Sequence, residues 1–115
     1  MNREFLYELL ETASVSGFEE EIQRKVIKYA RGFADEIYTD EIADVVSIVN
    51  PDAEIKVMLS AHMDEIGLMV SHITEKGMLH VSKAGGIYPG LILDRKSESC
   101  MREMWFTAQS ETMAL

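Results

Sequence analysis

Residues 61 to 70, AHMDEIGLMV, place His62, Asp64 and Glu65 between two apolar runs. The preceding IKVMLSA, residues 55 to 61, carries Val57, Met58 and Leu59 consecutively. That suits a strand covered on both faces, as at the parallel centre of an α/β sheet. His62 then falls just past its carboxyl end, where ligands gather in open α/β sheets. In an extended segment residues two apart share a side, so Asp64 can take the second N–H of the His62 ring, fixing its tautomer and raising its basicity as a metal ligand. The competing reading makes His62 an ordinary histidine bonded to backbone and Asp64 and Glu65 solvated. His72 and His80 read as ordinary strand positions, and no H-E-x-x-H or other local zinc signature is present. Any further ligands of a metal on His62 must come from elsewhere.

The elements that would position this segment follow from periodicity. Phe5, Leu6, Leu9, Leu10 and Ala13 repeat at helical spacing, with Asn2 able to cap. SVSG interrupts that helix, and Ser16 with Glu19 reads as an S-x-x-E capping box opening a second one, with Ile22, Val26, Ile27 and Ala30 as its buried stripe and Gly32 at its end. EIYTD and VVSIV read as short strands, and NPD at 50 to 52 as a turn. IGLMVSHIT, the turn EKG and MLHVS read as a β-hairpin, followed by the turn Gly85-Gly86. The change from helices over a sheet to consecutive antiparallel strands marks a subdomain boundary near residue 70. The last twenty residues, KSESCMREMWFTAQSETMAL, hold no sustained period and assign no element.

The chain has 115 residues, the size of one small domain, and its 47% hydrophobic content excludes simple disorder. A formal charge of -9 gives no footprint for nucleic acid or anionic lipid. Cys100 is the single cysteine, so no internal disulfide forms. With no basic start followed by a long apolar run, and no stretch near the roughly 18 apolar residues of a span, the expected location is cytoplasmic.

The string VMLSAHMDEIGLMV, with SVSGFEEEIQRKV and TDEIADVVSIV before it and ITEKGMLHVSKAGGIYPGLILDRK after it, resembles the di-metal aminopeptidases that include glutamyl, deblocking and tetrahedral aminopeptidases, often labelled endoglucanase or cellulase. The likeness covers residues 1 to 96. It implies an α/β fold: the amino-terminal part of an α/β/α di-metal peptidase domain (residues 1 to 70), then the start of an inserted antiparallel β-barrel domain (71 to 96), with an atypical tail (97 to 115). His62 matches a metal ligand and Asp64 the catalytic aspartate that orients it. The implied cofactors are two divalent ions, zinc or cobalt, which polarise the scissile carbonyl and activate a bridging water. The implied partners are peptide substrates and further copies in a homo-oligomer. The family's general base and remaining ligands come after the inserted barrel and match nothing in this chain, so this chain alone is expected to be inactive. Glu65 does not match the general base. The alternative function is a non-catalytic interaction module built on the same fragment. Glycoside hydrolysis needs two carboxylates facing each other across a sugar, and the adjacent Asp64 and Glu65 point apart.

Two departures stand out. TDEIADVVSIVN lacks the glycine-asparagine pair usual in the turn before that strand. After Lys96 the family's barrel strand and glycine-rich turn are missing. A frameshift accounts for this, since back-translating EMWFTAQSETMA and reading two bases later permits a string of the type VVYGTIG; a genuine short variant or a cloning artefact is the alternative. The aromatic residues Trp105 and Phe106 are then expected to lack a coherent packing surface.

Overall fold

The computed structural model describes residues 2–88, 96–101 and 104–109. Expectations for the other residues, and for the packing of Trp105 and Phe106, lie outside what is described. The chain divides into two compact units, residues 1–65 and 66–115.

In the first unit, α1 spans Arg3–Leu10, and Asn2 caps it: its Oδ1 accepts from the backbone N–H of Glu4 at 3.1 Å and of Phe5 at 3.4 Å. Helix α2 spans Glu20–Ala30 and buries Ile22 and Ala30, two of the four positions in the expected stripe. Phe5 of α1 stacks on Tyr29 of α2 with ring centroids 3.8 Å apart, which fixes one helix on the other. Thr12 and Ser14, in the connection between them, are both buried. Thr12 Oγ1 donates to the Glu8 carbonyl and accepts from Lys25 Nζ at 2.7 Å, so its burial is satisfied from both helices.

Strands β1 (Glu36–Thr39) and β2 (Val45–Ile48) pair antiparallel, as EIYTD and VVSIV suggest. Asp40 Oδ1 accepts from Ile42 N at 3.0 Å and Asp44 N at 2.8 Å and shapes the loop between them. NPD is a turn closed by Ala53 N donating to the Asn50 carbonyl.

The strand expected over 55 to 61 is not formed. Val57, Met58 and Leu59 are 80%, 88% and 93% exposed, and no element pairs with them among the described residues. An apolar run becomes a central strand only when hydrogen-bonded neighbours flank it. Here the run is present and the neighbours are not among the described residues.

In the second unit, β3 (Gly67–Ile73) and β4 (Leu79–Ala84) form the expected hairpin, with a bulge between Val70 and His72. Gly77, at φ 79°, supplies the left-handed turn residue. Gly85 is required more sharply: a Cβ there would lie 2.9 Å from Ile66 Cγ2. His72 and His80 are cross-strand partners with ring centroids 5.7 Å apart. Strands β5 (Lys96–Met101) and β6 (Met104–Gln109) pair antiparallel, in a stretch where the sequence pattern assigns no element. No described helix is long and apolar enough to cross a membrane.

Candidate metal-binding segment

The capping box expected at Ser16 and Glu19 is replaced by different bonds. Phe18 N donates to the Val15 carbonyl at 2.7 Å and Gly17 sits at φ 87°, so a tight turn intervenes and α2 starts only at Glu20. Glu19 is the N-cap residue without a side-chain cap bond; its carboxylate accepts from Gly17 N at 2.6 Å. The Ser16 hydroxyl turns instead to Asp64, donating to Oδ2 at 2.5 Å.

The other carboxylate oxygen of Asp64, Oδ1, lies 3.0 Å from His62 Nδ1, as the two-residue spacing implies. Ser16, Asp64 and His62 thus form one hydrogen-bonded row. Asp64 stays ionised below the usual aspartate range, first because of the Ser16 hydroxyl and second because of the His62 ring. With Nδ1 directed at the carboxylate, the ring's Nε2 is left for an outside partner, and the His62 side chain is 86% exposed.

Glu65 has a structural part. Its N–H donates to the Ser14 carbonyl at 2.9 Å, and its Oε1 accepts from Ser14 N at 3.2 Å. Val15 and Glu65 form an isolated parallel bridge. The connection between α1 and α2 is therefore the support on which residues 64 and 65 rest. Sequence reasoning missed Ser14 and Ser16 in this role, although the SG in SVSGFEEE is part of the string that carried the resemblance.

Around the row is an open cleft of about 240 Å³, bordered by Glu19, Gln23, Ala43, Asp44, His62 and Asp64. A larger one of about 480 Å³, between Ile27, Arg31 and Tyr38, contains no histidine. Among the described residues no three of the His, Cys, Asp and Glu side chains gather closely enough to hold a metal ion. His62 fits as one ligand with its orienting carboxylate, and a full donor set is not assembled.

A helical pair, a hairpin and a supported H-x-D segment define the class, and comparison supplies the family. The model of the M42 glutamyl aminopeptidases matches residues 44–104. The lysyl aminopeptidase of Pyrococcus furiosus is 37% identical over 94 residues, covering 81% of this chain and 27% of that protein. The TET aminopeptidase of Thaumarchaeota archaeon SCGC AB-539-E09 superposes with a TM-score of 0.88 at 25% identity, over 93% of this chain and 30% of its own. PhTET1-12s, solved as a dodecamer in the asymmetric unit, gives a TM-score of 0.82 at 29% identity, over 93% of this chain and 32% of its own.

The chain belongs to the M42 glutamyl aminopeptidase family. It corresponds to the amino-terminal part of the family's α/β fold, and it spans about 27% of the length of the curated relative. The family match runs to residue 104, eight positions beyond Lys96, where the resemblance read from the sequence ends.

Proposed function

We propose that this chain carries one metal-binding corner of a metal-dependent aminopeptidase, with His62 as ligand through Nε2 and Asp64 as the carboxylate that orients it. The observation behind this reading is the 3.0 Å approach of Asp64 Oδ1 to His62 Nδ1, which directs the opposite ring nitrogen outward. A bound divalent ion, zinc or cobalt, would supply Lewis acidity toward a peptide carbonyl and an activated water. The chain's own residues hold the imidazole in one tautomer, keep the neighbouring carboxylate ionised and fix both on the α1–α2 connection.

A catalytic zinc ordinarily takes three protein ligands and an open position, so one ligand and its orienter do not make an active centre. The 115-residue chain by itself is therefore inactive, and removal of amino-terminal residues from peptides belongs to a protein of full family length. In the same reading residues 71 to 96, which include the end of β3 and all of β4, begin the inserted antiparallel barrel, and the tail from 97 to 115 stands apart from it. A homo-oligomer is supported by the dodecamer named for PhTET1-12s, and a cytoplasmic location by the single cysteine.

The test is hydrolysis of amino-acid p-nitroanilides with added zinc or cobalt. The expected result is no turnover above a His62→Ala control for this chain, and loss of turnover on the same substitution in a full-length relative at its matching histidine. Turnover by the isolated chain that His62→Ala abolishes would mean that the remaining ligands are present or supplied by another copy. A relative that keeps its activity without the histidine would overturn the ligand assignment.

A further inference from the structure

We propose that Ser16 is a positioning residue for the His62–Asp64 pair: its hydroxyl, donating to Asp64 Oδ2 while Oδ1 faces His62 Nδ1, sets the plane of the carboxylate and through it the tautomer of the imidazole. The proposal rests on the reading of His62 as a metal ligand, and gives the connection between α1 and α2 a share in that site.

The argument begins with the freedom of an aspartate. Rotation about the bond to its carboxyl group is broad and roughly two-fold, so one contact to one oxygen leaves the plane loosely held. A second donor on the other oxygen removes that freedom. Ser16 is that donor, at 2.5 Å from Oδ2, and the His62 ring lies 3.0 Å from Oδ1.

His62 Nδ1 also has a rival acceptor, the Asp64 backbone carbonyl at 3.1 Å. When the carboxylate plane is held toward Nδ1, a negatively charged oxygen competes for the proton, and charge-assisted bonds are about twice as strong as neutral ones. When the plane turns away, the Nδ1–H form loses that advantage. The Ser16 hydroxyl therefore acts on the ring that it does not touch.

Ser16 can act this way because it is itself held. On one side Ser14 exchanges two bonds with Glu65, and Val15 bridges Glu65 in parallel. On the other, Gly17 N donates to Glu19 Oε1, and Phe18 N closes a turn onto the Val15 carbonyl. Both anchors are independent of Asp64's side chain. A donor on a mobile loop would follow the carboxylate, whereas this one stays and the carboxylate follows.

The experiment reads the tautomer of His62 directly, without activity. The full chain, labelled with ¹⁵N and held at about pH 8.5, where an ordinary imidazole is neutral, is examined by long-range ¹H–¹⁵N spectra. The expected result is that Nδ1–H predominates in the native chain. Ser16→Ala should lower the Nδ1–H to Nε2–H ratio about threefold or more, as expected for weakening one hydrogen bond of ordinary net worth. Ser16→Thr, which keeps the hydroxyl, should restore it. If the ratio is the same in all three, the proposal is overturned.

Should Ser16→Ala disturb the fold, seen as displaced amide signals at Ser14 and Glu65, the comparison moves to Ser16→Thr against Ser16→Val. These differ by a hydroxyl for a methyl group at nearly constant shape, so a difference in tautomer supports the proposal and equality overturns it. Zinc added to the His72→Ala/His80→Ala chain, which keeps Ser16, His62 and Asp64 and lacks the cross-strand pair as a competing site, tests the underlying reading separately through the His62 Nε2 signal. A tautomer that responds to Ser16 while zinc leaves His62 untouched supports the positioning and sinks the ligand assignment. A His62 signal that moves with zinc while Ser16 variants leave the tautomer unchanged does the reverse.

Discussion

Gln23 of α2 donates through Nε2 to the carbonyl of Ala43 at 2.9 Å, and Ala43 stands at φ 72°. A helix residue thus ties down a turn residue in the left-handed region, where a side chain costs roughly 1–2 kcal/mol. The turn thus holds an alanine in a conformation suited to glycine. Ala43→Gly is expected to relieve that strain and return part of the gain as unfolded-chain entropy, leaving a net stabilisation of about 0.5–1 kcal/mol. Denaturant midpoints of the two chains measure it; an unchanged or lower midpoint would contradict the strain.

Glu65 is expected to matter for stability rather than for proton transfer. Glu65→Ala removes the acceptor of the Ser14 N–H, and leaving such a part-buried donor unpaired costs about 1–3 kcal/mol. Glu65→Gln keeps an oxygen at the same reach and should recover most of that. Thermal melts of the three chains order them; equal melting of Glu65→Ala and the native chain would remove the structural role.

Asp64 carries a pH dependence of definite sign. Its folded-state value lies below the ordinary aspartate value of 3.8, first through the Ser16 hydroxyl and then through His62. The stabilisation attached to it is therefore fully present above that ordinary value and is lost as the pH falls through the lowered one. Titration of the Asp64 carboxyl carbon by NMR should give a midpoint below 3.8 in the native chain and one displaced upward in Ser16→Ala. A midpoint at or above the ordinary value in the native chain would contradict the hydrogen-bonded row.

The exposed run Ile55, Val57, Met58 and Leu59 should drive association. An unpaired apolar segment offers backbone donors and acceptors together with unburied side chains. Sedimentation is expected to show concentration-dependent self-association, reduced by Val57→Lys with Leu59→Lys. A monodisperse monomer in the native chain would count against this.

Legibility in the sequence followed the range of the interaction. The Asn2 cap, the hairpin around the EKG turn and the approach of Asp64 to His62 depend on residues within a few positions of one another, and the sequence predicts each correctly. Ser16 shows where that reasoning ends. A serine three residues before a glutamate carries the same local signal whether it caps a helix or not, and the competitor for its hydroxyl, Asp64, stands 48 residues away. Residues 55 to 61 show a second limit: a run of apolar side chains states what must be covered, and says nothing of what lies beside it. The β5–β6 pair shows a third, since KSESCM and MWFTAQ carry no sustained period to detect and still pair along their backbones.

The parallel bridge between Val15 and Glu65 closes a long loop of chain. Bringing residues about 50 positions apart together costs about 3.5 kcal/mol in loop entropy, beyond a constant, before any contact compensates for it. Folding the intervening helix and hairpin first shortens the loop that must be closed, so the histidine's surroundings are expected to form after them. The Glu65 amide, bonded to the Ser14 carbonyl, is the clock for that event. Its exchange with deuterium reports how often the support opens while the helices stay closed, and it separates the lifetime of the site from the lifetime of the fold.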